Sequence, residues 1–409
     1  MYDWAVMWEW VSFLVRWIHV ITAISWIGSS FYFIALDLSL NRNVSGPADG
    51  EEWQVHGGGF YHIQKYLVAP VEMPEHLTWF KWESYSTWLS GFAMLVVAYW
   101  FRADLFLIDP SVSSISAFQA IIISGGSLIA GWLVYDLLCR SHLANHPTIL
   151  MLCLYGLLVG LSLGFSNIFS GKAVLIHLGA ITATIMTANV FLVIMPNQRI
   201  VVADLKAGRK PDSKFGKIAK LRSTHNNYLT LPVIFLMLSV HYPLAFGTYY
   251  SWLIASLIFI IGVLIRHYFN SKHSKNKLPL WTWGLSAVLF VIIMWLSTEP
   301  FVNNKFEKIE RLSIRETQFV NGDGFKEVQE IVSTRCTACH SQDPVWNKIY
   351  WPPKGLVFDT DVDIAKNAYA IFVHSGISHS MPPSNISGIE ESERSSIRKW
   401  YNSVIKAGS

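Results

Sequence analysis

The chain has 409 residues, 52% of them hydrophobic and only 15% charged, with a mean hydropathy of +0.34. That balance excludes an ordinary soluble globular protein and a disordered one, and it describes a chain built largely for a membrane. The net charge of +4 resides mostly in two loops, which points to the lipid bilayer and its anionic headgroups, and away from nucleic acid, as a partner.

Apolar runs long enough to cross about 30 Å of hydrocarbon fall at 11–36, 86–108, 115–139, 148–169, 173–195, 228–246, 250–268 and 280–298. Any one of them reads equally well as a buried soluble helix. Eight in series, with Trp10, Trp17, Trp100, Tyr249 and Trp281 near their ends, read as membrane spans with interfacial anchors. The loop after the fifth carries Arg199, Lys206, Arg209, Lys210, Lys214, Lys217, Lys220 and Arg222, and the loop after the seventh Lys272, Lys275 and Lys277. The positive-inside rule places both in the cytoplasm. An even number of spans then puts both termini on the periplasmic side of a bacterial inner (cytoplasmic) membrane, the N-terminus being translocated without a cleaved signal peptide.

His19, His177 and His241 fall at similar depth near the outer ends of the first, fifth and sixth spans. Imidazoles inside a membrane are candidates for ligating a second haem, of b type, or copper; the plainer reading is a hydrogen bond to a neighbouring helix. Ile18-His19 recurs as Ile176-His177, with Ile27 and Phe33 matched by Ile185 and Phe191, a weak sign of two related four-span halves.

The inner segment from Asn41 to Tyr85 is long, and its Trp, His and Gly content argues against disorder. It reads as a folded lid or re-entrant piece. Within it, Glu75, His76, Lys81 and Glu83 are interleaved with Trp79 and Trp82, a mixture able to bind and deprotonate a flat polar heterocycle. An interfacial amphipathic helix anchored by its tryptophans is the competing reading. His225 and Asn226, at the inner end of the sixth span, stand behind these four as further site candidates.

After a charged tether at 301–320, residues 321–409 are expected to form a small helical domain, with helices at 323–335, 364–374 and 390–404. The first of these helices runs into Cys336-Thr337-Ala338-Cys339-His340, the attachment box of a c-type haem: two thiols for thioether bonds and an adjacent imidazole for the iron. A zinc half-site or a redox dithiol is the alternative, but no partner Cys pair follows. Met381 is the leading sixth ligand, with His374 and His379 as rivals. Trp346, Trp351, Pro352 and Pro353 mark an irregular stretch between the two ligands.

Trp17-Ile18-His19-Val20, Ser25-Trp26-Ile27-Gly28, the Met73-to-Ser90 segment and His225-Asn226-Asn227-Tyr228-Leu229-Thr230-Leu231-Pro232 together resemble the membrane-bound, cytochrome c-linked urate oxidase (urate hydroxylase) family. The resemblance implies an eight-span membrane domain followed by a class I-like cytochrome c. It also implies oxidation of urate to 5-hydroxyisourate, with electrons leaving through the haem to a terminal oxidase or soluble cytochrome c and no peroxide formed. The expected whole is an all-α protein, with residues 1–300 oxidising urate and 321–409 exporting electrons. Two other readings fit the same parts: a quinol:cytochrome c-type oxidoreductase, and a haem-gated membrane transporter or sensor without turnover.

Overall fold

The computed structural model describes residues 4–66, 70, 73–109, 112–298, 312–346, 349 and 352–407. A helical bundle and a smaller C-terminal helical domain account for nearly all of them. The bundle comprises α1 (Trp4–Ser39), α2 (Trp82–Ala98), α3 (Ala117–Arg140), α4 (Pro147–Phe165), α5 (Gly171–Ala188), α6 (Met195–Lys206), α7 (Ser213–Leu238), α8 (Ser251–His273) and α9 (Trp281–Leu296). Local chemistry explains several of their starts. Ser116 and Gln119 form a reciprocal capping box on α3, Pro147 opens α4 where its missing N–H costs nothing, and the Ser170 and Asp212 side chains cap α5 and α7.

Five helical stretches are long and apolar enough to cross a membrane: Val6–Ser39, Ala117–Arg140, Pro147–Phe165, Gly171–Lys206 and Ser251–His273. The remaining three predicted spans are helices as well. Two of them, α2 at 17 residues and α9 at 16, are shorter, and the first half of α7 is basic. Helix α5 lies at the centre, with Val174, Leu175, His177, Leu178, Ile181 and Ile185 buried around its whole circumference. Lipid tails are as apolar as leucine, so close packing holds such helices together better than exclusion of water does. Gly262 of α8 shows this contact: a Cβ there would sit 2.5 Å from Pro232 Cδ of α7.

The expectation of an all-α chain is corrected at the Asn41–Tyr85 segment, which contains an antiparallel hairpin of β1 (Gly50–His56) and β2 (Gly59–Lys65). Gly57 and Gly58, at φ +58 and +81, supply the left-handed pair that a two-residue hairpin turn requires. Tyr32 of α1 donates to Gln54 at 2.7 Å, and Lys65 pairs with Asp37, so one face of the hairpin packs on the end of α1.

In the C-terminal domain, α10 (Ile314–Val320) and α11 (Phe325–Arg335) lead into α12 (Thr337–His340). Then follow α13 (Asp361–Lys366), α14 (Ala368–Ile371) with a wide π turn at Phe372–Ile377, and α15 (Glu391–Ala407). Ile397, Trp400, Tyr401 and Val404 make one buried stripe on α15, the spacing of an amphipathic helix facing a core. Trp400 Nε1 donates to the Phe319 carbonyl at 3.1 Å. Residues 314–320 of the expected tether are therefore part of this domain. The stretch 299–311 lies outside the described residues, as does Trp351. Two contacts seat the domain on the bundle end that α2 reaches: Arg315 to Asp104 at 2.9 Å, and Arg102 Cζ 3.3 Å from the centroid of the Tyr369 ring.

Candidate functional site

A cavity of about 370 Å³ opens between α1, the stretch Thr78–Glu83, the junction of α5 with α6, and α7. Its shape depends on a π turn at Asn189–Ile194, which interrupts a helix that would otherwise run straight from α5 into α6; such bulges accompany functional sites because they re-aim side chains. Trp26, Phe33, Trp79 and Phe80 supply aromatic walls, Phe33 and Phe80 meeting edge to face at 4.7 Å. The polar lining is Ser29, Ser30, Thr78, Gln198, Ser223, Asn226, Thr230 and Glu83. Glu83 lines the cavity, and its Oε2 is buried without a hydrogen-bond partner, so this carboxylate retains unused accepting capacity. No Lys, Arg or His is among the lining residues.

Behind the wall runs a buried chain of hydrogen bonds whose polarity is set at its ends. Arg222 can only donate, and it does so to Asp136 Oδ1 at 2.5 Å and to Asn189 Oδ1 at 3.3 Å. Asn189 therefore turns Nδ2 outward, donating to Asn226 Oδ1 at 2.9 Å and to the Tyr135 hydroxyl at 3.0 Å. Asn226 Nδ2 donates to the Met186 carbonyl at 2.9 Å. The Tyr135 hydroxyl also shares a 2.8 Å hydrogen bond with His225 Nδ1, whose direction follows the imidazole tautomer, and His225 Nε2 is buried without a partner. The result is an Asn226 amide held in one orientation at the cavity wall.

Of the residues singled out in the sequence, Glu83 and Asn226 line this cavity. Glu75 and His76 are exposed and outside its lining, and Lys81 is half-buried with Nζ 5.9 Å from the Trp82 ring. His225 is 1% exposed and belongs to the supporting chain. Sequence reasoning passed over Tyr135, Asp136, Asn189 and Arg222. Asp136 carried a signal, since it is the only charged residue between 115 and 139 and an intramembrane carboxylate marks function by default; Arg222 was read as one more loop charge.

Replacing Asp136 with Ala leaves Arg222, 3% exposed, without its buried counter-ion. A loss of about 3–5 kcal/mol is expected, measured as lowered thermal stability of the purified protein, with Asp136→Glu falling between. A variant as stable as the parent would mean that Arg222 is solvated after all.

The membrane histidines stand apart from the cavity lining. His19 Nδ1 contacts the Thr87 carbonyl at 3.1 Å and Ser90 Oγ at 3.2 Å. His177 has both nitrogens occupied, Nδ1 by the Ala173 carbonyl at 2.7 Å and Nε2 by Ser124 Oγ at 2.6 Å, and it stacks on Phe169. His241 is exposed. A metal or second haem at His177 would have to displace one of those bonds. Among the described residues, no three or more His, Cys, Asp or Glu side chains are grouped as a metal site.

In the C-terminal domain, Cys336, Cys339 and His340 lie on and beside α12, both thiols free. His340 Nδ1 donates to the Leu356 carbonyl at 2.9 Å and the ring stacks on Phe358. That bond orients the ring and leaves Nε2 for a metal, the arrangement of an axial haem ligand. Burial, with Cys339 and Glu393 adding to it, pushes the Cys336 thiol up to about 12, opposite to the low-pKa, accessible thiol that a redox dithiol needs. Met381 is pinned through its backbone: its N–H donates to the His374 carbonyl at 2.9 Å, and buried Arg394 donates to its carbonyl at 3.1 Å. His374 meets Ser380 Oγ at 3.2 Å, while His379 contacts Glu391 at 3.5 Å on the surface. These residues fit a covalent haem with His340 on one side.

A family model described as urate oxidase N-terminal matches residues 5–297. The chain belongs to that family. No curated protein and no solved structure matches it. Membership in the urate oxidase N-terminal family makes this a urate oxidase-related chain of oxidoreductase type. The match covers the whole bundle, including every cavity residue named above, and ends before the C-terminal domain begins.

Proposed function

We propose that the bundle is a membrane domain that oxidises urate to 5-hydroxyisourate, and that the C-terminal domain is a periplasmic cytochrome c that takes up the electrons. The observation that carries this reading is the aromatic cavity with one unpartnered carboxylate oxygen, lying inside the region matched by the urate oxidase family. Urate plus water gives 5-hydroxyisourate, two protons and two electrons. A flat purine suits walls of Trp26, Trp79 and Phe80. Glu83 accepts a ring N–H proton as electrons leave, and the Asn226 amide fixes the orientation of the ring.

A c-type haem on Cys336, Cys339 and His340, with Met381 as the second axial ligand, would accept one electron at a time. Two electrons therefore leave in succession. Helix α2 separates Glu83 from the contact of Arg102 with Tyr369; its 17 residues span about 25 Å. Trp88 and Phe92 stack at 5.3 Å on α2, and Phe92 meets Trp100 at 5.4 Å, so aromatic rings occupy part of that interval. Electrons then pass to a terminal oxidase or soluble cytochrome c, so that no peroxide forms in the cavity. Crossing by α2, α7 and α9 in addition to the five long apolar helices gives eight spans with both termini outside.

Anaerobic mixing of the purified protein with urate tests the reading directly: the visible haem spectrum should shift to the reduced form. Reduction by a quinol and not by urate would overturn it in favour of a quinol:cytochrome oxidoreductase, and reduction by neither would favour a sensor or transporter. A companion expectation concerns the ligand. Met381→Ala should remove the weak long-wavelength sulfur-to-iron band of the oxidised protein; its persistence would strike Met381 from the ligand set.

A further inference from the structure

Arg266 lies in α8, one and a half to two turns from the helix's basic end, and is 6% exposed. Its guanidinium Cζ sits 4.1 Å from the centroid of the Phe31 ring in α1. Nη2 donates to Asn270 Oδ1 at 3.3 Å, and Asn227 Nδ2 donates to the same oxygen at 3.1 Å. Arg266 Nε and Asn227 Oδ1 are both buried and have no partner; Asn227 as a whole is 3% exposed.

Among the described residues of the neighbouring helices, no counter-ion is at hand. Helix α8 and the helices packed most closely on it, α1, α4, α5, α7 and α9, contain two carboxylates between them, Glu9 and Asp37, both in α1. Asp37 is engaged by Lys65 and Arg42. Glu9 is separated from Asp37 by nearly the whole length of α1. Arg266 makes no ion pair among the described residues. A buried cation in this state is strongly unfavourable, and proteins relieve it with a paired anion. In a membrane segment such a residue marks a site by default.

The hydrogen-bond polarity narrows the ligand. Because arginine only donates, Asn270 Oδ1 is the acceptor, Asn227 must turn its Nδ2 to that oxygen, and the atom left over is Asn227 Oδ1. The unmet demands are one charged donor and one neutral acceptor. Their complement is an anionic oxygen with an O–H or N–H donor beside it on the same molecule. None of Arg266, Asn227 and Phe31 lines the cavity described above, so this is a separate place in the bundle.

We infer that Arg266 and Asn227 form a second, anion-binding site that takes an oxyanion carrying an adjacent hydrogen-bond donor. Two sources share that chemistry: a phospholipid with a glycerol headgroup, and a small soluble anion such as phosphate or urate. The inference stands independently of urate oxidation, because it rests on charge and hydrogen-bond demand alone.

The test uses the full chain in phosphatidylcholine nanodiscs and follows thermal unfolding. Three probes are added separately: phosphatidylglycerol in the bilayer, inorganic phosphate, and urate. At least one should raise the unfolding temperature saturably, phosphatidylglycerol alone assigning the site to lipid, and phosphate or urate to a soluble anion. Asn227→Asp places a carboxylate beside the guanidinium. It should unfold at or above the parental temperature without any probe and lose the response; for urate, only the part lost in this variant is assigned to the site. Arg266→Gln should lose the same response. No shift with any probe in the parent, or a shift undiminished in both variants, would overturn the inference.

Discussion

Glu83→Gln is expected to slow reduction of the haem by urate by roughly 10²-fold or more, the usual scale for removing a general base, while leaving the haem spectrum unchanged. The substitution keeps the shape of the side chain and its place in the cavity wall but removes the capacity to take a proton. Stopped-flow mixing with urate would read the rate, and equilibrium binding would read affinity. A general base lost should lower the rate far more than the affinity. Glu75→Gln serves as the contrast: Glu75 is exposed and outside the cavity lining, so its variant should reduce at close to the parental rate. If Glu75→Gln is the crippled variant and Glu83→Gln is not, the chemistry lies at the surface of the Met73–Lys81 stretch and the cavity has another use.

Joint replacement of Cys336 and Cys339 by Ala should abolish covalent haem, and with it all urate-dependent reduction, while urate binding persists. The two sites are physically separate: the cavity lies at the start of α2, and the C-terminal domain contacts the chain beyond its end, at Arg102 and Asp104. Binding is read by equilibrium dialysis with labelled urate, and haem by its pyridine adduct. Abolished binding in a variant that keeps the parental helical content would mean that the haem domain itself builds the substrate site.

The helices of this protein are legible in its sequence because their causes are local. A run such as Ile121–Cys139 contains nothing but apolar and small polar residues before Asp136, and the backbone must then satisfy its own hydrogen bonds. The stripe Ile397, Trp400, Tyr401 and Val404 foretells which face of α15 is buried. The proposal of a haem attachment box likewise rests on local pattern, since the chemistry it invokes lies within the five consecutive residues Cys336–His340. The hairpin was equally open to view. Gly57-Gly58 between two runs of alternating apolar residues is a turn signal, one that the reading of this segment as a lid or re-entrant piece does not use.

The cavity is of another kind. Glu83 and Asn226 were singled out for their side-chain chemistry, yet nothing in their neighbourhoods says that they share one space while Glu75, eight residues from Glu83, does not. That division follows from where α2 begins and from how α1, α6 and α7 close around the π turn. The orientation of Asn226 depends on Asn189, whose own orientation depends on Arg222 and Asp136, residues drawn from three separate helices. Arg266 makes the same point for charge: its position in an apolar run is plain in the sequence, but the absence of any available carboxylate on the helices around it appears only once they are packed. Helix formation and covalent motifs depend on near neighbours along the chain, and the sequence alone determines them. Burial, hydrogen-bond polarity and the pairing of charges depend on which distant segments meet, and only the tertiary structure decides them.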